Sequence, residues 1–189
     1  MTRTKLVAIL GLLCPPAAAA PLAEELPGQP PTGLHVDVEI DPTAFVFEGH
    51  SLHLGLGRGR FRIDLGAFAM RVPHAVDGNE GFTRSFSGFG VKAQYFLFEE
   101  ARGGFVGLDA GVASSLIERD GTDMASNTTQ FIAGANVGWR WRITDRLYAS
   151  TWVSLDRNVN ARDIVIDSST YKASRWTVFP AIHLGYRFR

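Results

Sequence analysis

The sequence is almost free of cysteine. Cys14 is the only cysteine among 189 residues, and it falls in an apolar stretch near the N-terminus. The rest of the chain therefore has neither a disulfide framework nor a thiol site. An excess of one charge sign is also missing, since 19 basic residues balance 19 acidic ones. A nucleic-acid-binding protein normally carries a basic excess, so we expect no nucleic-acid partner.

Long apolar runs are lacking too. Apolar residues make up 46% of the chain, but no run approaches the roughly 18 residues that a membrane-spanning helix needs. The aspartates of the polar loops lack the spacing of a calcium loop. The glycine-rich stretches lack the strand-to-helix context of a phosphate loop. We therefore predict no metal site and no cofactor.

The N-terminus carries the pattern of an export signal. Arg3 and Lys5 precede the apolar stretch 6–14, and prolines and a run of alanines follow. A basic start, a short apolar region and small residues define a secretory signal peptide, which we assign to residues 1–19. Its removal would leave 17 basic and 19 acidic residues, a formal charge of −2. Residues 20–33, rich in proline and small residues, are expected to be a flexible lead-in.

From Leu34 onward the dominant period of apolar residues is two, which is typical of strands. Eight segments have this period: 34–46, 51–57, 60–70, 86–98, 105–116, 130–143, 146–156 and 175–188. Short connections alternate with the long loops 71–85, 117–129 and 157–174. An even strand number with alternating short turns and long loops is typical of a membrane barrel, with the short turns on the periplasmic side.

The charged residues keep to one face of these segments. Within each segment, odd-numbered and even-numbered residues belong to opposite faces of the strand, and we call this the parity of a residue. All 14 charges in the eight segments lie on the parity opposite to the apolar residues, together with many glycines. An eight-stranded barrel is narrow enough for side chains to fill it, and buried charges are costly unless they pair. We therefore predict a plugged, ion-paired interior. The candidate network comprises Asp37, Glu39, Asp64, Asp109, Arg60, Arg62, Lys92, Arg140, Arg142 and Arg187.

Aromatic residues lie near the ends of the apolar face, as in the interface girdles of membrane barrels. The candidate girdle comprises Trp139, Trp141, Trp176, Tyr95, Tyr186 and Phe188. In a soluble barrel such as a lipocalin, the apolar face would point inward and the charges would coat the outside. The fold class we predict is all-β: an eight-stranded antiparallel up-and-down transmembrane β-barrel spanning residues 34–189, in contact with outer-membrane lipids.

Residues 34–189 resemble the small eight-stranded outer-membrane proteins of the OmpA-transmembrane, OmpX and OmpW type. The resemblance rests on pattern rather than on a unique motif. The final segment, WTVFPAIHLGYRFR, resembles the C-terminal signal read by the barrel-assembly machinery, although Arg189 follows Phe188 where that signal usually ends on the aromatic. The resemblance implies a bacterial outer-membrane location after signal cleavage and that machinery as a partner. We expect a monomer, with a bulge at Pro180 because proline removes a ladder hydrogen bond.

Three functions remain open from the sequence. The first is a structural or surface-interaction protein that displays its long loops. The second is an enzyme acting on outer-membrane lipids, because some small barrels of similar architecture use Ser and His near the membrane surface. The chain has no His-x-Ser, and Ser85 and Ser87 have no histidine nearby in sequence, so we assign no catalytic residue. The third is a narrow transporter of small hydrophobic molecules, with a lateral opening near Pro180.

Overall fold

The structure is a computed structural model that describes residues 33–98 and 101–188. The predicted signal peptide 1–19 and all but the last residue of the lead-in 20–33 lie outside the described residues. In chain order the elements are β1 (Leu34–Ile40), α1 (Pro42–Val46), β2 (His50–Arg58), β3 (Phe61–Val72), α2 (His74–Asp77), β4 (Phe82–Phe98), β5 (Arg102–Arg119), β6 (Ala125–Arg142), β7 (Leu147–Asn158), β8 (Ile164–Ile166), β9 (Ser169–Tyr171) and β10 (Trp176–Phe188).

Eight of these strands form a closed antiparallel barrel in the order β1-β10-β7-β6-β5-β4-β3-β2. Strands β1 to β7 follow one another as neighbours in both the chain and the sheet, and β10 closes the ring by pairing with β1. The predicted fold class, an all-β up-and-down barrel of eight strands, is confirmed. In residues 33–98 and 101–188 no helix is long and apolar enough to cross a membrane.

The alternation in β2 illustrates how the barrel is oriented. Leu52, Leu54 and Leu56 are 57%, 50% and 47% exposed, whereas Ser51 and His53 between and beside them are buried. Successive side chains of a strand point to opposite faces, so the leucines lie outside the barrel and the polar residues inside. This arrangement is the reverse of a soluble barrel with an apolar interior.

The segment 34–46, predicted as one strand, is instead a strand that ends at Ile40 and is followed by α1. Asp41 is the N-cap, with its carboxylate accepting from the Thr43 amide at 2.8 Å, and Pro42 occupies the first turn. Both residue types favour helix initiation at these positions. The helix packs against β2, β3 and β10 beyond the end of β1, with Ala44 buried.

The bulge predicted at Pro180 is absent from the ladder between β10 and β7. Their register is continuous, and Pro180 lies opposite Val153. On its other side β10 pairs with β1 only as far as Leu184. Proline is tolerated where a strand has a regular partner on one side. The barrel instead has a register shift in the pairing of β4 with β5, between Phe96 and Phe98.

The two ends of the barrel differ. We call the end that holds the start of β1 and the end of β10 the terminal end, and the opposite end, with the long connections, the loop end. Strands β4, β5 and β6 extend farther toward the loop end than predicted. Strands β2, β3, β5 and β7 also run past their predicted ends, and the expectation that strand charges all point inward is wrong for the charges that these extensions add. Outward-facing, exposed charges occur at strand ends: Arg58, Arg71, Glu118 and Arg157.

Candidate functional site

Arg62 is the hub of the barrel interior. It is 1% exposed, and its Nε donates to Asp37 Oδ1 at 3.0 Å. Its Nη2 lies 3.1 Å from Glu39 Oε1 and 3.0 Å from Asp64 Oδ2, and its Nη1 donates to Gln94 at 2.8 Å. A guanidinium presents five donors in a planar fork, and this one contacts three carboxylates from β1 and β3.

Two further cations pair with carboxylates of this hub. Lys92 Nζ is 2.8 Å from Asp64 Oδ1, which also bonds to His53 Nδ1 at 2.8 Å. Arg140 Nη2 donates to Glu39 Oε1 at 2.6 Å. We call Asp37, Glu39, Asp64, Arg62, Lys92 and Arg140 the central charge cluster. Its three carboxylates match its three cations, which is the condition under which buried ions are tolerated.

Two further hydrogen-bond partners complete the cluster around Glu39. The Tyr148 hydroxyl donates to Glu39 Oε1 at 2.9 Å, and His183 Nδ1 lies 2.7 Å from Glu39 Oε2. Glycines leave room for these groups. A Cβ added at Gly55 would overlap the Asp37 and Arg62 side chains, and one at Gly185 would overlap the Tyr148 ring. Inward glycines thus make space for long polar side chains at the centre of the barrel.

The other four residues of the predicted network lie outside this cluster. Arg60 and Arg142 are exposed, so their predicted interior position is wrong: Arg60 belongs to the β2–β3 turn and Arg142 ends β6. Asp109 is half-buried and accepts from Asn136 Nδ2 at 2.8 Å. Arg187 lies near the terminal end with its guanidinium 5.9 Å from the Tyr148 ring centre.

An aromatic layer shares the interior with the charges, and the sequence reasoning missed it. Phe96, Phe105 and Trp152 are buried with two alanines, and Phe179 packs against them. Lys92 Nζ lies 5.1 Å from the Trp152 ring centre, a cation–π contact that joins this layer to the central charge cluster. The available signal was four large aromatic residues on the inward parity.

An apolar cluster lies at the loop end. The hairpin formed by β8 and β9 brings Ile166 and Tyr171 onto Phe82 of β4 and Ile117 of β5, and we call these four residues the loop-end cap. Phe82 and Tyr171 meet edge to face with ring centres 5.6 Å apart. Such a geometry is favourable beyond its burial of apolar surface.

Polar contacts hold the hairpin against the β3–β4 connection. The Tyr171 hydroxyl donates to Asp77 Oδ1 at 2.8 Å, and the Lys172 amide donates to Asn79 Oδ1 at 2.9 Å. Arg84 Nε in turn pairs with Asp77 Oδ1 at 2.9 Å. Burial raises the pKa of the Tyr171 hydroxyl above its ordinary value. The hydroxyl therefore stays protonated and able to donate over the physiological range.

The residues of the predicted aromatic girdle lie on outward-facing positions of the strands. Trp176 lies at the loop end, and the other five lie toward the terminal end: Tyr95, Trp139, Trp141, Tyr186 and Phe188. Tyr186 and Phe188 meet edge to face with ring centres 5.0 Å apart. The terminal end therefore carries most of the large outward aromatic side chains of this set.

The described residues offer little catalytic chemistry. Thr83 Oγ1 lies 3.4 Å from His74 Nε2 but donates to Asp120 Oδ1 at 2.9 Å, so the hydroxyl proton is directed to the carboxylate and not, as an activated nucleophile would require, to the histidine. Ser85 and Ser87 lie on the outward parity of β4. No group of three or more His, Cys, Asp or Glu side chains in residues 33–98 and 101–188 is placed to hold a metal ion.

No protein-family model matches the sequence, and a comparison with curated proteins finds no match. Among solved structures, Neisserial surface protein A aligns with a TM-score of 0.50 and 9% identity, covering 82% of this chain and 94% of that one. The N-terminal β-barrel domain of Pseudomonas aeruginosa OprF aligns with a TM-score of 0.47 and 12% identity, covering 85% of this chain and 100% of that one. A major outer membrane protein of Thermus thermophilus aligns with a TM-score of 0.48 and 13% identity, covering 82% of this chain and 100% of that one.

At these identities the likeness concerns the fold. The resemblance to small eight-stranded outer-membrane barrels, predicted from the sequence pattern, is confirmed at the level of the fold. The chain has the eight-stranded barrel fold found in Neisserial surface protein A.

Proposed function

We propose that this chain is an integral outer-membrane protein whose barrel spans the bilayer. The observation that carries the proposal is the apolar outer surface of the barrel. Leu65 and Leu108 are 57% and 67% exposed, and similar residues repeat around the ring. A soluble monomer rarely exposes a contiguous apolar surface of this kind. A hydrocarbon environment accounts for it, because a closed barrel satisfies its own backbone hydrogen bonds.

The terminal end is then the periplasmic end. Short turns face the periplasm in such barrels, and the β2–β3 and β6–β7 turns lie at this end. The outward aromatic residues of this end would form one interface girdle, and Trp176 would belong to the other. This orientation puts the loop-end cap and the long connections outside the cell.

The biochemical role that we propose is structural or surface-interacting rather than conductive. Three groups of side chains support this role: the central charge cluster, the aromatic layer and the loop-end cap. Together they support a plugged barrel that presents its outer connections on a rigid frame. A loop site carried by a rigid scaffold is a common arrangement for recognition.

Three further expectations belong to the same proposal. The signal peptide 1–19 is removed on export, β10 is recognised by the barrel-assembly machinery, and the barrel is a monomer. Observations in favour of β10 as that signal are its outward apolar residues Ile182, Leu184 and Phe188. We propose neither a lipid-modifying activity nor a transport pathway, because no arrangement of the described residues favours one. At Pro180, where the sequence left room for a lateral opening, β10 pairs with Val153 of β7, and α1 packs against β10.

The barrel and its location are tested by membrane fractionation together with electrophoresis of unheated and boiled samples. We expect the chain in the outer-membrane fraction, with a faster band before boiling because the folded barrel is compact. Recovery only from the soluble periplasm would overturn the proposal.

The plugged interior is tested separately, by conductance in planar bilayers. We expect no steady channel, since side chains fill a barrel of this size. Steady channels of large conductance from the folded protein would contradict a closed interior while leaving the membrane location intact.

A further inference from the structure

Two carboxylates of the barrel interior lie outside the central charge cluster. Asp109 of β5 and Asp156 of β7 both have the inward parity of their strands, and both are half-buried. Each of them lies opposite Gly134 of β6 in the ladder, from either side. Because glycine has no side chain, no group of β6 separates the two carboxylates at this position. We call Asp109 and Asp156 the aspartate pair.

The two carboxylates approach each other over Gly134. A Cβ added at Gly134 would overlap Asp156 Oδ1, so this oxygen lies over the glycine, toward the strand that carries Asp109. The side chains of Asp109 and Asp156 interact directly with each other. Two ionised carboxylates in contact have no proton to share and repel each other. The arrangement therefore requires a proton or a cation between them.

The aspartate pair has no cation of its own. In residues 33–98 and 101–188, no lysine or arginine forms an ion pair with either aspartate. Lys92 lies opposite Asp109 in the ladder, but its Nζ is 2.8 Å from Asp64 Oδ1. The three cations of the central charge cluster are matched by the three carboxylates of that cluster. The negative charge of the pair is thus left without compensation, which is costly in an interior.

Two oxygens at the aspartate pair lack a hydrogen-bond donor. Ser154 Oγ donates to Asp156 Oδ2 at 2.6 Å, but Asp156 Oδ1 is buried and has no partner within the part of the chain that the structure describes. Asn136 is 4% exposed, and its Nδ2 donates to Asp109 Oδ1 at 2.8 Å. The oxygen of the same amide has no partner there either. Buried acceptors without donors call for an explanation.

The aspartate pair can be reached from the loop end. Thr177 of β10 lies opposite Asp156 with the inward parity of its strand, and it is exposed. One step from Asp109 toward the loop end, Gly90 and Gly111 lie opposite each other on inward positions, and both are partly exposed. Neither glycine places a side chain over the pair. A small ion can therefore enter from the loop end without crossing the central charge cluster.

We propose that the aspartate pair is a binding site for a divalent cation, with calcium as the ion that its ligands fit. The groups at the site are hard oxygen donors: the two carboxylates, the Asn136 amide oxygen and the Ser154 hydroxyl. Calcium takes about six to eight such oxygens, including water, at about 2.3–2.6 Å. The partly exposed side of the pair admits the water ligands that complete the shell.

The neighbouring side chains prepare the pair for this ion. Asn136 holds one oxygen of Asp109 and Ser154 holds one oxygen of Asp156. Hydrogen bonds of this kind orient the carboxylates that bind a metal. The remaining oxygen of each aspartate is free for the ion, which turns the repulsion within the pair into attraction. This site goes beyond the proposed function and does not depend on the membrane location.

The test compares three forms of the full chain, folded in a zwitterionic detergent and freed of metal with a chelator. They are the unchanged protein, the double variant Asp109→Asn/Asp156→Asn, and a control, Asp123→Asn/Asp167→Asn, which changes two exposed aspartates of the loop-end connections. Both double variants remove two negative charges. Heat-dependent migration verifies folding. Calcium binding is measured by calorimetric titration at about pH 8, where aspartates are ordinarily ionised.

We expect about one calcium ion per chain in the unchanged protein and in the control, and binding at least about tenfold weaker in Asp109→Asn/Asp156→Asn, because both charged ligands are lost. Calcium should also raise the urea midpoint of the first two forms only, since an ion bound by the folded state stabilises it.

Two results would overturn the site. An unchanged protein that binds no calcium would assign a shared proton to the pair, and equal binding by all three forms would place the ion elsewhere. The titration of the unchanged protein does not depend on how well the variants fold. Recovery of the chain from the soluble periplasm would overturn the proposed function and leave the calcium titration as it stands.

Discussion

The central charge cluster and the loop-end cap fill the same barrel by different means. In the cluster, Arg62 and its carboxylates come from strands whose register is fixed by the ladder between β1, β2 and β3. In the cap, Ile166 and Tyr171 come from a two-stranded sheet outside the barrel ladder. The cluster therefore belongs wholly to the barrel, whereas the cap forms only when the β8–β9 hairpin docks onto Phe82 and Ile117 of the barrel.

This difference has an energetic consequence. Removing one partner of a buried ion pair leaves an uncompensated charge and costs about 3–5 kcal/mol. The cap depends on a few apolar contacts and on single hydrogen bonds, each worth about 1 kcal/mol net. Regions of low contact density open on their own, before the rest of the structure. We thus expect changes at the centre to affect the whole barrel, and changes at the cap to affect the hairpin alone.

The largest effect is expected from Arg62→Ala. The change leaves Asp37, Glu39 and Asp64 with less compensation in the interior, so the free energy of unfolding should fall by about 3–5 kcal/mol. The measurement is urea unfolding of the detergent-folded barrel, followed by heat-dependent migration. Arg60→Ala is the matched control, because Arg60 is an exposed arginine at the turn before β3. Equal midpoints for the two variants would show that the cluster is not what holds the barrel together.

The positions in the central cluster could be predicted from sequence because strand alternation decides them. Arg62 and Asp64 share one parity of β3, and Asp37 and Glu39 share one parity of β1, so the closed barrel turns all four inward. The parity of a residue does not tell where its strand ends in the barrel wall. For that reason Arg142, on the inward parity at the end of β6, was assigned to the interior although it is exposed.

Other features depended on signals that periodicity does not contain. The start of α1 could have been predicted from neighbouring residues alone, because Asp41 is a typical N-cap residue and Pro42 a typical first-turn proline. The inward aromatic residues could be found by parity too, but they were missed because an apolar residue on the inward side departs from a clean alternation of apolar and polar residues. The docking of β9 could not be predicted at all. Tyr171 and Asp77 are 94 residues apart in sequence and meet only in the closed barrel.

Two substitutions in β8 distinguish the stability of the loop-end cap from that of the central charge cluster. Ile166 is 6% exposed within the cap, whereas its neighbour Val165 is 70% exposed. We expect Ile166→Ala to weaken hairpin docking by about 2 kcal/mol, the lower range for truncating a buried isoleucine. Val165→Ala should leave docking unchanged. Limited proteolysis of the 159–175 connection measures docking, and urea unfolding measures the barrel. A matching loss of barrel stability in Ile166→Ala would mean that the cap is not an independent unit.

The smallest effect concerns one hydroxyl. Tyr171→Phe keeps the ring against Phe82 and removes the bond to Asp77, so docking should weaken by about 1 kcal/mol. Because burial raises the pKa of Tyr171, its contribution is present below the ordinary tyrosine value of about 10 and declines as the pH rises above it. Proteolysis of the 159–175 connection should therefore accelerate at alkaline pH in the unchanged protein and less so in the variant. The same alkaline acceleration in both would assign it to a group other than Tyr171, and the hydroxyl would then have no part in holding the cap.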